Sequence, residues 1–300
     1  MVNAICGATN ILRAIKVCRF GRIPTILYAF LFISIWILSA PAACATKIVL
    51  VGCADGLVVV SDKRQGRYYP GHEPIISDEV KKTRKFGTTL VGQTGSCFQF
   101  RRSAPRKRLG YSYTFFGLSF SIAKKVSKKF DSADFSELVT RTSMADYLCH
   151  LYKKVADEPP SPWKLEQQDF VSSTIFVKTS PDRQTIDVVQ IFIGGNETSD
   201  NGRQIVVNKV SYFSYHRGQQ FCKSFGLEHD SESRCSMVLP VTSQLESLEL
   251  AESEVYRASL RTKKVGPIVD EFFVPFDGPI RCLRRGKHLS GPAGDLSQVK

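Results

Sequence analysis

Three hundred residues, 43% of them hydrophobic, can bury a substantial core, and no repeat or low-complexity tract divides the chain, so one compact domain is expected after residue 45. The net charge of +13 favours anionic partners, but no zinc-finger spacing, RNA-binding aromatic signature or helix-turn-helix pattern accompanies it, and no nucleic-acid partner is expected. His72, His150, His216, His229 and His288 are scattered, so neither a metal site nor a cofactor is expected.

The N-terminus reads as a targeting segment. Arg13, Lys16, Arg19 and Arg22 lead into an uncharged stretch over residues 23–46, densest over 26–38 and followed by small residues over 39–45. This is the n-region, h-region and small-residue pattern of a secretory signal. Ala43 and Ala45 form an A-x-A site whose product begins at Thr46, so export to the periplasm or the exterior would create an N-terminal threonine. Two alternatives compete. The stretch is also long enough for an uncleaved membrane anchor. A lipid-bearing Cys44 fits less well, because Pro41, Ala42 and Ala43 supply no large aliphatic residue before it. Beyond the cut lie Cys53, Cys97, Cys149, Cys222, Cys235 and Cys282, an even set that permits disulfides without fixing any pairing.

Two β-branched runs, 47–53 and 57–62, flank Ala54-Asp55-Gly56 and predict a hairpin. A polar loop with Gly71 and Pro74 leads to Ile75 and Ile76, a short basic strand or turn follows over 80–86, and 88–95 predicts a strand ending in glycine. The basic run over 101–108 reads as a solvated loop. Ser132 is a candidate cap for a helix with Phe135, Leu138, Val139, Ala145, Leu148, Leu151, Tyr152 and Val155 on one face, stopped by the prolines of 159–162. Strands are expected over 174–177, 186–193 and 205–213. Ser243 and Glu246 have the form of a capping box before Leu248, Ala251, Val255 and Ala258, and a last strand is expected over 268–274. The order suits an α+β layered domain over 46–275, with 276–300 a basic surface tail.

Four elements carry a resemblance. Asp62 in Asp62-Lys63-Arg64 follows Thr46 by sixteen residues, Val80-Lys81-Lys82 comes next, and Gly92-Gln93-Thr94-Gly95 lies beyond. In that order they resemble the N-terminal part of proteasome β-type subunits and the related bacterial peptidase, within the Ntn-hydrolase superfamily. Arg257-Ala258-Ser259-Leu260-Arg261 with Gly266-Pro267-Ile268 resembles that family's last helix and following strand more loosely.

The resemblance implies a four-layer αββα sandwich of the Ntn-hydrolase type, a homo-oligomeric ring, and cleavage of peptides or unfolded proteins. It implies Thr46 as nucleophile and α-amino base, Asp62 and Lys82 as a supporting pair, and the Gly95 N–H as oxyanion donor. A terminal threonine needs no histidine, because its own α-amino group accepts the hydroxyl proton. The Lys82 charge would favour the neutral amine and Asp62 would hold Lys82 in place. The family's helper aspartate and serine would fall near Thr262 and Val265, which cannot play those roles, and its Ser-Gly-Ser stretch is missing. A catalytically inactive scaffold on the same fold is therefore the alternative, and an amidase of small molecules differs only in pocket shape. A serine hydrolase finds no G-x-S-x-G around Ser96.

Overall fold

The computed structural model describes residues 46–67, 75–95, 99–102, 113–157, 163–165, 171–197, 203–226 and 243–290. Two units divide the chain, Met1–Pro41 and Ala42–Lys300, and all described residues belong to the second. The expected leader over 1–45 lies outside the described residues, as does the expected basic loop over 101–108 from residue 103 on; its first two residues, Arg101 and Arg102, are strand rather than loop and pair with Lys164 and Trp163.

The first sheet begins with the predicted hairpin, β1 (Ile48–Cys53) and β2 (Gly56–Asp62), in register from Ile48 opposite Ser61 to Cys53 opposite Gly56. Gly56 is required by crowding: a Cβ there would lie 2.4 Å from the carbonyl oxygen of Val274. The short strands β3 (Gln65–Arg67) and β4 (Ile75–Ser77) pair with each other. β5 (Thr83–Phe86) and β6 (Thr89–Gly95) form the next hairpin. A small sheet of β7 (Gln99–Arg102), β8 (Tyr113–Thr114) and β9 (Trp163–Leu165) brackets two helices, α1 (Phe115–Lys129) and α2 (Leu138–Asp157). Then come β10 (Val171–Thr179), β11 (Thr185–Glu197), β12 (Arg203–His216), β13 (Cys222–Phe225), α3 (Gln244–Arg261), β14 (Ile268–Pro275) and β15 (Arg281–His288).

The two main sheets run β13-β1-β2-β14-β15 and β12-β11-β10-β6-β5, with antiparallel pairing throughout. Alternation along each strand sorts the core into three clusters. Ile48, Leu50, Leu57, Val59, Phe272 and Val274 meet Leu90, Ile175, Val177, Ile186 and Val188 between the sheets. Val49, Val51, Val58, Val60 and Phe273 take the other face and meet Leu248, Ala251, Val255 and Ala258 of α3. Val91, Phe176, Val189 and Ile191 pack on Ile122, Val126, Met144, Leu148 and Tyr152 of α1 and α2. Each such large apolar side chain contributes about 1.5–3 kcal/mol on full burial.

The expected four-layer αββα sandwich of the Ntn-hydrolase type is corrected by this architecture. The described residues are mostly antiparallel strand, in two five-stranded sheets accompanied by three helices. Among the described residues, the outer face of the first sheet meets the apolar stripe of α3 at Leu248, Ala251, Val255 and Ala258, joined by Val265 and Leu289.

Three local expectations also shift. The second helix begins at Leu138 rather than beside Ser132, because side chains hold the preceding turns: Asp134 Oδ1 accepts from the Ser136 N–H at 2.8 Å, and Asp131 Oδ1 from the Thr88 N–H at 3.0 Å. α1 occupies a segment that the sequence reading leaves unassigned. Within the expected tail, residues 281–288 pair with β14 as an edge strand, and six of the eight are exposed.

Candidate active site

β1 and β2 meet the start of β5 and the end of β6 around one buried ion pair. Lys82 Nζ donates to Asp62 Oδ1 at 3.0 Å and Oδ2 at 2.8 Å, and neither side chain has any solvent exposure. The carboxylate is held from further directions. Oδ1 accepts from the Lys47 N–H at 2.7 Å; Oδ2 accepts from the Arg64 N–H at 3.1 Å and the Gly266 N–H at 3.3 Å. The Asp62 N–H donates in turn to the Lys47 carbonyl at 3.0 Å, closing a ring between the two strand ends. A carboxylate taken out of water needs this density of donors, and a lysine taken out of water needs this carboxylate.

Thr46 adjoins that ring through Lys47. It is 1% exposed, and its hydroxyl is buried with no hydrogen-bond partner among the described residues. Gly226, at φ +121°, lies directly on it: a Cβ there would fall 1.5 Å from the Thr46 carbonyl oxygen. In the uncut chain the Thr46 nitrogen is an amide, so the α-amino base expected from the sequence arises only on cleavage after Ala45.

The structure therefore brings Thr46, Asp62 and Lys82 together. Gly95 closes β6 opposite Ser172, two residues after Gln93, whose N–H donates to the Lys82 carbonyl at 2.9 Å. At this end of the sheets the inward rows turn polar. Ser61 and Asp270 continue the row of Val59 and Phe272, while Thr94 and Ser173 continue the row of Gly92 and Ile175. Gln190 Nε2 donates to Ser173 Oγ at 2.8 Å, whereas Ser61 Oγ, Thr83 Oγ1 and Asp270 Oδ2 are buried without partners among the described residues.

The turn after α3 reaches the pair by backbone alone. Thr262 Oγ1 accepts from the Lys264 N–H at 3.2 Å, Val265 is fully buried against α3, and the Gly266 N–H is what touches Asp62. Sequence reasoning missed Gly226 and used Gly266 only as part of the looser motif Gly266-Pro267-Ile268, with no role at the pair. It used Arg64 only as part of a motif and passed over Asp78, whose carboxylate the Arg64 guanidinium grips at 2.7 and 2.8 Å and holds below its ordinary range. A glycine between apolar runs and an Arg–Asp spacing of fourteen residues were the available signals.

Among the described residues no group of three His, Cys, Asp or Glu side chains is placed to hold a metal ion, and no helix is long and apolar enough to cross a membrane. Cys222 is disulfide-bonded, Cys53 and Cys149 are buried free thiols, and Cys282 is an exposed one.

No protein-family model matches this chain, and no curated relative does. Similar solved structures include Anbu (ancestral beta-subunit) from Yersinia bercovieri, 12% identical over 79% of this chain and 86% of that one, with a TM-score of 0.46. The Gly-1 mutant of Anbu from Hyphomicrobium sp. strain MC1 is 11% identical over 79% and 87%, with a TM-score of 0.46. Anbu in the helical assembly of its complex from Pseudomonas aeruginosa is 14% identical over 76% and 81%, again at 0.46. The expected membership among proteasome β-type subunits is thereby corrected: no family model carries it, and these structures belong to Anbu, a distinct family. Likenesses this distant bring neither a mechanism nor an assembly to this chain.

Proposed function

We propose that this chain is the precursor of an amide hydrolase whose nucleophile is the Thr46 hydroxyl, freed when the Ala45–Thr46 bond is cut during export. The observation that carries the reading is the buried Asp62–Lys82 pair, anchored on the amide next to Thr46, with the Thr46 hydroxyl buried and unengaged beside it.

Cleavage by water leaves the hydroxyl of that water on the Ala45 carbonyl and a proton on the Thr46 nitrogen, which becomes an α-amine with an unperturbed pKa of about 7.7–8.0. Lys82 favours the neutral amine by charge repulsion, so the amine can take the proton from Oγ1 as the oxygen attacks a substrate carbonyl. Negative charge then develops on the carbonyl oxygen. An N–H at Gly95 is the donor this reading assigns to it, a contact of the kind worth about 3 kcal/mol. Collapse expels the substrate amine with the proton and leaves an acyl ester on Thr46, which a second water hydrolyses. In this reading the substrates are peptides or unfolded chains, whose amide bonds the acyl-transfer step cleaves. More than one copy is expected in the assembled protein, and native mass reads this out.

One observation favours a second reading, an inactive scaffold. The turn over 262–266 contributes only backbone to the pair, with Val265 in the core and the Thr262 hydroxyl engaged by its own turn. Expression of the full chain in an exporting host separates the two. Intact mass should show a chain starting at Thr46, and Thr46→Ala should abolish peptide hydrolysis. A different start, or no hydrolysis by a chain that begins at Thr46, establishes the scaffold instead, and equal hydrolysis by Thr46→Ala rejects Thr46 as the nucleophile.

A further inference from the structure

The turn after α3 sends no side chain to the ion pair, yet its backbone is held there by two residues that flank the β3–β4 hairpin, Arg64 before it and Asp78 after it. Arg64 sits at the centre. Its N–H donates to Asp62 Oδ2 at 3.1 Å, its Nε and Nη2 form a fork on Asp78 at 2.7 and 2.8 Å, and its Nη1 reaches the carbonyls of Lys263 and Val265 at 3.4 and 3.5 Å. The last two contacts are long, so they depend on the guanidinium plane being fixed by the fork. Gly266 rests on the same pair: a Cβ there would lie 2.7 Å from both Arg64 Cβ and Asp78 Oδ1. Only glycine lets the turn come close enough for the Gly266 N–H to reach Asp62 Oδ2 at 3.3 Å.

We propose that Asp78 is a positioning residue of the Thr46 centre: through Arg64 it clamps the turn over 263–266 and so fixes the rotamer in which the Asp62 carboxylate presents Lys82. Its catalytic meaning rests on the hydrolase reading above; its structural content does not. The turn serves the site by backbone, because the Thr262 hydroxyl is engaged by its own turn and Val265 is packed in the core. The Arg64 and Asp78 side chains are 20% and 25% exposed, and a partly solvated pair of this kind contributes little to global stability. A merely stabilising surface bridge would therefore leave the site untouched when broken. The Arg217–Asp277 pair, at 2.5 Å and more exposed, is such a bridge and serves as the control.

The test uses the exported full-length protein and the variants Asp78→Asn, Arg64→Lys and Asp277→Asn. Amide hydrogen exchange at Gly266 and Arg64 should accelerate about tenfold in Asp78→Asn, while Val49 and Val60 in the core keep the parent rate and Asp277→Asn changes none of them. Acylation of Thr46 by a peptide β-lactone, an electrophile for hydroxyl nucleophiles, should fall by about tenfold or more in Asp78→Asn with N-terminal cleavage intact. Parent-like exchange at Gly266 in folded Asp78→Asn overturns the proposal. If that variant does not fold, Arg64→Lys, which keeps the charge and loses the fork, decides by the same exchange criterion. A parent protein that the β-lactone does not acylate sinks the hydrolase reading, and Gly266 exchange still decides the clamp.

Discussion

Two buried carboxylates lie two rungs apart on the β2–β14 ladder, and their surroundings treat them in opposite ways. Asp62, opposite Val269, meets one ammonium group and three backbone N–H donors. Glu271, opposite Val60, has an equally buried side chain but faces another carboxylate: burial first, then Glu252 on α3, pushes its pKa up to about 7. Lys287, 2.5 Å from Glu252 and 3.7 Å from Glu271, and Arg284 at 3.9 Å only partly oppose that rise. Burial alone thus does not decide how a carboxylate behaves; the number and direction of its donors do. On one sheet, one carboxylate is surrounded by donors and the other is pushed to take up a proton near neutrality.

The strongest way to break this contrast is to remove one partner of the satisfied pair. Lys82→Ala leaves Asp62 buried without its cation and should destabilise the protein by about 3–5 kcal/mol in denaturant unfolding. The double variant Asp62→Asn with Lys82→Met, which removes both charges and keeps a side-chain acceptor for the backbone N–H donors, should recover much of that loss while restoring no Thr46 acylation. If the single variant costs no more than an exposed bridge would, the pair is not the anchor that its geometry indicates.

Glu271 sharpens the contrast through pH. Its pKa rises on folding from an ordinary 4.5 to about 7, so between those values the folded state holds a proton that the unfolded state has released. The stabilisation is fully present below about pH 4.5 and is lost as pH rises through about 7. Glu271→Gln keeps the neutral shape at every pH. It should melt close to the parent at pH 5 and above it at pH 8. Parallel melting temperatures across that range would show that Glu271 does not hold the proton. Asp187, raised chiefly by burial, slopes the same way in both proteins and cancels in the difference.

How much of this was legible in sequence follows from how local each signal is. The β1–β2 hairpin was readable because two apolar runs meet at Asp55-Gly56, and the capping box because Ser243 and Glu246 stand three residues apart. The closeness of Thr46, Asp62 and Lys82 was accessible through a motif. The donors that satisfy Asp62 were not: Gly266 is 204 positions away, and a backbone N–H leaves no mark in residue type. β15 was hidden for a different reason. Four of its eight residues are Arg or Lys, the composition of a solvated tail, and it becomes a strand only because β14 presents an open edge. The layering failed because the four-layer sandwich was carried over by resemblance, whereas the described segments 222–225 and 281–288 form strands and add one to each edge of the first sheet.

The smallest effect separates the clamp from the helix that leads into it. Ser243 Oγ accepts from the Glu246 N–H at 3.3 Å, and Glu246 Oε2 accepts from the Ser243 N–H at 2.8 Å, closing the start of α3. Ser243→Ala removes one half of that box and should cost about 1 kcal/mol in unfolding free energy. The site lies at the opposite end of the helix, where the Thr262 N–H still donates to the Ala258 carbonyl at 3.1 Å. Fraying at the N-terminus should therefore raise exchange at Ser247 and leave Gly266 at its parent rate. Faster exchange at Gly266 in Ser243→Ala, comparable to that in Asp78→Asn, would mean that the turn is held by α3 as a whole. Unchanged exchange there assigns the turn to the Arg64–Asp78 fork, and the order of the Asp62 carboxylate to residues that α3 does not contain.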